Sequence, residues 1–111
     1  MHTDEELLVD LTLDLLVRYG LSQKGWTVVM VDENEGRDGY CDQEIKTITM
    51  SRMCLPTATR NLMELAKHEV AHALCGHGDH NLEWWDKLIS IGGCGVWVSD
   101  EGVVYQARVE S

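Results

Sequence analysis

The chain has 111 residues, 44% hydrophobic and 25% charged, a balance that excludes wholesale disorder and fits one small domain over residues 1–111. Acidic side chains outnumber basic ones 19 to 9, and the net charge of -10 opposes unaided contact with a phosphate backbone, so no direct nucleic-acid binding is expected. No apolar run reaches the roughly 18–20 residues of a membrane span, and the N-terminal Met1-His2-Thr3-Asp4-Glu5-Glu6 is acidic where a secretory signal is basic, so a cytoplasmic protein is expected.

In chain order, Thr3 with Glu6 forms a capping box, and Leu7, Leu8, Leu11, Leu15 and Leu16 recur at helical spacing up to Tyr19-Gly20. This predicts an amphipathic first helix whose acidic face, Asp4, Glu5, Asp10 and Asp14, is solvated. Trp26 to Val31 is β-branched and apolar, a strand, and Asp32 to Gly39 is a polar, glycine-punctuated turn. Tyr40 and Cys41 open a second extended piece, and Ile45 to Ser51 is the better strand by composition. Pro56 and Thr57 mark a helix start, and no further proline or glycine occurs until Gly76, which predicts the longest helix over Thr57 to Cys75. Asn81 caps another helix through Leu82, Trp84, Trp85, Leu88 and Ile91, closed by Gly92-Gly93. Val96-Trp97-Val98 and Val103-Val104-Tyr105, around a turn at Ser99 to Gly102, read as a C-terminal hairpin.

The segment that carries chemistry is His68-Glu69-Val70-Ala71-His72, an H-E-x-x-H motif on the long helix. Side chains four apart lie on one helix face with Cβ atoms about 5–6 Å apart, so two imidazoles can reach one metal ion. Glu69, beside the first histidine, takes the position of a general base acting on water. The neighbours Ala66, Val70, Ala71, Ala73 and Leu74 are uncharged, as expected of a helix buried on most sides. A catalytic zinc needs a third protein ligand. His77 and His80 both follow in the glycine-bearing turn, and His80 has more slack to fold back toward the first pair. The four cysteines, Cys41, Cys54, Cys75 and Cys94, contain no C-x-x-C pair and read as reduced thiols.

The run His68 to Leu74, followed by a Gly/His-rich turn ending His80-Asn81-Leu82-Glu83-Trp84, resembles SprT-like zinc metallopeptidases, particularly their short bacteriophage forms. Gly39-Tyr40-Cys41-Asp42 and the strand Lys46 to Ser51 are similar to the block that precedes the active-site helix in that family, and the likeness extends over Leu21 to Gly93. The resemblance implies an α+β, minimal zincin-like fold: an N-terminal helix, a small β-sheet, the HExxH active-site helix and a second helix carrying the third zinc ligand. It implies one Zn2+ per chain on His68, His72 and His80, the last standing before the Glu83-Trp84 pair. The Gly-Pro usual after the third histidine is Asn81-Leu82 here. A phage-encoded member would work in the host cytoplasm.

The activity expected on these grounds is hydrolysis of a protein or peptide substrate by zinc-activated water, with Glu69 as general base and the substrate extended along the edge of the strand Ile45 to Ser51. Two other classes fit the same residues: a non-catalytic zinc-binding adaptor, and a hydrolase of cell-wall peptide amides. A closed structural zinc site with Cys75 or His77 as fourth ligand is a further alternative, and Cys75 otherwise reads as a buried thiol or a redox device. Tyr40 and Tyr105 are packing residues or oxyanion donors, and Trp84-Trp85 reads as core plus one interface-facing ring.

Overall fold

In the computed structural model, the residues described are 3–32, 39–52, 62–78, 80–93, 96–98 and 104–106. Helix α1 runs Asp4–Arg18. Thr3 is extended, and its Oγ1 accepts from the Glu6 amide at 3.1 Å, which serves one of the donors a helix start leaves open. Three acids in the first turn and Arg18 in the last suit the helix dipole. Gly20, at φ +77°, turns the chain so that the Leu21 amide donates back to the Leu16 carbonyl at 2.8 Å. Leu8, Leu15 and Leu16 face the core, and the buried Thr12 hydroxyl donates to the Leu8 carbonyl. Of the acidic face, Asp4, Asp10 and Asp14 are exposed, whereas Glu5 is half-buried and paired with Arg52.

Three strands follow: β1 Thr27–Val31, β2 Gly39–Asp42 and β3 Thr47–Ser51. They form one mixed sheet in the order β1-β3-β2, with β1 parallel and β2 antiparallel to β3. The central position of β3 overturns the expectation that this strand offers an edge to a substrate, because both its sides are already paired. Its predicted first residues, Ile45 and Lys46, belong instead to the β2–β3 turn. There Asp42 Oδ1 accepts from the Glu44 and Ile45 amides and Lys46 is left-handed at φ +53°.

Register places side chains in rows on the inner face. Val28, Ile48 and Cys41 form one row, and Met30, Met50 and Gly39 the next. Ile48 and Met50 are fully buried, each contributing about 1.5–3 kcal/mol of hydrophobic free energy.

Helix α2, Leu62–Cys75, packs against α1, β2 and α3, the last spanning Leu82–Ser90. The predicted start of α2 at Thr57 lies outside the described residues. Ala66, Val70, Ala71 and Ala73 are buried, so α2 is enclosed on most sides as its composition predicts. Gly76, at φ +85°, ends it. Asn81 Oδ1 accepts from the Trp84 amide at 3.1 Å and starts α3. The strands β4 Val96–Val98 and β5 Val104–Gln106 pair antiparallel, and the predicted turn at Ser99 to Gly102 and the predicted first residue of the second strand, Val103, lie outside the described residues. Among the described residues the architecture is thus a small α+β arrangement of three α-helices and a three-stranded mixed sheet, followed by this pair of strands. Among the described residues, no helix is long and apolar enough to cross a membrane.

Candidate metal centre

Helix α2 delivers His68 and His72 from one face, and the turn through Gly76 and Gly78 brings His80 back to meet them just before the cap of α3. The Nε2 atoms of His72 and His80 are 3.1 Å apart, and those of His80 and His68 are 3.0 Å apart. Ligands around a tetrahedral zinc at about 2.0–2.1 Å stand about 3.3 Å from one another, so the three imidazoles are spaced to hold one metal ion.

The tautomer of one ring is fixed by its neighbour. His72 Nδ1 lies 3.1 Å from the His77 carbonyl, which can only accept, so Nδ1 carries the proton and Nε2 turns a lone pair toward the other two rings. Burial, and then His72 and His80, push His68 down to about 3, which disfavours a charged His68 ring in the cluster. A shared cation serves all three nitrogens at once.

Trp84 forms the floor of the cluster. Its ring centroid lies 4.8 Å from that of His68, 5.4 Å from His72 and 4.7 Å from His80, stacked on His72 at 20° and edge-on to His80. Its Nε1 donates to the His68 carbonyl at 3.3 Å. Both Trp84 and Trp85 are buried, which corrects the expectation of an interface-facing ring. The sequence signal beside this role of Trp84 is its place in the Glu83-Trp84 pair shortly after His80.

Glu69 shares a cavity of about 260 Å³ with the three histidines, Gly39, Tyr40, Cys41 and Gly78, but stands outside the ligand set. It is 4% exposed, and burial pushes its carboxyl up to about 7. Gly39 makes room for it: a Cβ at that position would lie 2.7 Å from Glu69 Oε2. The carboxylate therefore occupies the place where the row Met30–Met50 would otherwise present a third side chain. Sequence reasoning did not assign this role to Gly39.

Of the alternative ligands, neither Cys75 nor His77 joins the triad. The His77 ring instead pairs with Glu83, Nε2 to Oε1 at 3.0 Å, and the Cys75 thiol lies among the His72 carbonyl and His77. Tyr40 lines the cavity from β2 and is 43% exposed; the side chain of Tyr105 is outside the described residues. Gln43 Nε2 donates to the His72 carbonyl at 3.0 Å and ties the end of the β2 hairpin to the ligand helix. Compared with protein-family models and with curated proteins, the chain matches none.

Proposed function

We propose that the chain is a zinc-dependent metallopeptidase of minimal zincin type, with zinc on His68, His72 and His80 and Glu69 as general base. The observation that carries this reading is the convergence of three imidazole nitrogens beside a buried carboxylate that is not one of the ligands. Zinc, when bound, supplies Lewis acidity toward a peptide carbonyl and toward water. The protein's own groups do the rest. Glu69, a stronger base in its buried setting than a solvated carboxylate, takes a proton from the attacking water and returns it to the leaving amine. The His77 carbonyl keeps His72 in the ligating tautomer, Trp84 packs against the three imidazole rings, and Gly39, Tyr40 and Cys41 of β2 wall one side of the cavity.

An extended substrate is assigned to β2 rather than β3. Among the described residues β2 pairs on one side only, and Gly39, Tyr40 and Cys41 line the cavity, so a peptide added to the free side would pass the metal ligands. Backbone pairing of this kind reads shape more than side-chain identity.

The test combines zinc stoichiometry of the purified chain with cleavage of an unfolded protein by wild type and Glu69→Gln. One triad-bound equivalent of zinc, lost in His80→Ala, and Glu69-dependent cleavage are expected. Zinc binding with no Glu69-dependent turnover on proteins, peptides or cell-wall peptides removes the enzyme reading and leaves a zinc-binding adaptor.

A further inference from the structure

Beyond the histidine triad, a second group of ligating side chains closes on itself at the junction of α2 and α3. Cys75 is the last residue of α2, His77 follows in the turn, and Glu83 lies in the first turn of α3. One ligand atom from each falls within 4.8 Å of the other two. His77 stands between its partners, Nδ1 3.8 Å from Cys75 Sγ and Nε2 3.0 Å from Glu83 Oε1. A single ion takes one imidazole nitrogen, so with His77 Nδ1 as the ligand beside Cys75 the Glu83 carboxylate, 61% exposed, has to leave Nε2 and swing to the Nδ1 side to reach the about 3.2–3.7 Å spacing of ligand atoms around a tetrahedral zinc.

We propose that Cys75, His77 and Glu83 bind a second divalent ion of the zinc class, separate from the triad. The donor set selects the metal: a thiol and an imidazole favour zinc or cobalt over calcium or magnesium, which prefer oxygen alone. Binding replaces the thiol proton, released to solvent, with the metal–sulfur bond, and a water molecule fills the fourth position.

The site also has a structural consequence. It clips the end of α2 to the start of α3 across the turn that delivers His80, and the backbone carbonyl of its central ligand, His77, holds His72 Nδ1 at 3.1 Å. An ion there stiffens the segment on which the triad depends without touching the cavity. The proposal does not require the triad to be catalytic.

Cobalt titration of the metal-free full chain distinguishes the two sites. Thiolate-bound Co2+ gives an intense near-ultraviolet charge-transfer band, whereas Co2+ on imidazoles alone gives only visible ligand-field bands. Two equivalents and the charge-transfer band are expected for wild type. Cys75→Ser should lose the band and one equivalent while keeping the ligand-field bands of the triad, and His68→Ala should keep the band. His77→Ala repeats the loss should Cys75→Ser fail to fold, as judged by circular dichroism. A single equivalent without the band overturns the proposal and leaves His77 and Glu83 an ordinary imidazole–carboxylate pair. Persistence of the band in both variants assigns the thiolate to another cysteine and also overturns it. One equivalent that carries the charge-transfer band supports this site and counts against the triad alone.

Discussion

The two halves of the candidate metal centre are built by opposite means. The half formed by α2 and the sheet is buried: His72 and Glu69 are each 4% exposed, and Gly39 and Cys41 close the wall from β2. The half formed by the α2–α3 turn is open, with His80 exposed and Gly76 and Gly78 shaping the approach. Helical spacing presents two ligands ready-oriented, so little ordering entropy is spent on them when metal binds. The third arrives on a turn that has to be held by its own contacts, the Asn81 cap, the packing of Trp84 and the His77 carbonyl. The buried half should therefore govern chemistry, and the open half should govern metal affinity.

The largest effect tests the buried half. Glu69→Gln keeps the shape of the side chain and removes the base, so turnover on an unfolded protein should fall by about 100- to 10,000-fold while zinc stoichiometry is unchanged. Loss of zinc together with turnover would mean that Glu69 supports the ligands rather than the reaction, and the division between the halves would fail.

A second comparison lies within the open half. His80→Ala should weaken zinc binding by about 100-fold or more, read by competition with a chromophoric chelator, because removing a ligand exceeds the 10- to 100-fold typical of an outer-shell partner. His77→Ala should change triad affinity by less than about tenfold, because its side chain lies outside the triad and its carbonyl remains. The reverse order would reassign the third ligand.

Gly39→Ala sharpens the role of the sheet wall. The new methyl would meet Glu69 Oε2 at 2.7 Å, forcing the carboxylate aside. Turnover should fall by about 10- to 100-fold with zinc affinity retained, and stability should drop by about 1–3 kcal/mol, as for other overpacked sites. Combined with Glu69→Gln, the substitution should cost little further turnover, since both act through one carboxylate. Additive losses would show that Gly39 acts elsewhere, for instance on the edge of β2.

Local signals in the sequence located the helices well. The Thr3–Glu6 box and Asn81 both cap helices as expected, glycines at 20, 76 and 92 follow their ends with positive φ, and the four-residue spacing of His68 and His72 puts both rings in one cluster. The preference for His80 over His77 rested on chain reach, and the cluster contains His80. What escaped was non-local. Composition makes Ile45 to Ser51 a strand, but only pairing makes β3 central and β2 the edge beside the cavity, and pairing partners are not written in a strand's own residues. The same holds for Gly39, whose importance comes from a carboxylate 30 positions away, and for Trp84, which reads with Trp85 as core plus one interface-facing ring and is instead packed against the rings of three histidines. Cys75 and His77 were visible as separate candidates and Glu83 was not, and only the helix junction groups the three.

The smallest effect contrasts one thiol from each half. Cys41 sits in the sheet wall, 6% exposed, where burial, and then the charge of Glu69, push its thiol up to about 12. Cys75, at the helix junction and less buried, is also raised by burial and by the charge of Glu83, while hydrogen bonding to the His77 backbone and the positive charge of Lys87 work the other way. The thiolate is the species that alkylates, so in metal-free protein at pH 8 iodoacetamide should label Cys75 at least about tenfold faster than Cys41, resolved by peptide mass mapping. Mild denaturant should erase the difference, because it exposes Cys41 and returns its thiol toward the ordinary value. The sign also fixes a pH dependence: the unfolded chain gives up the Cys41 proton near 9.0 and the folded chain only near 12, so this group withdraws stability as pH rises through that interval. Equal labelling of the two thiols in the native chain would place Cys41 outside the wall and remove the contrast between a sealed half and an open one.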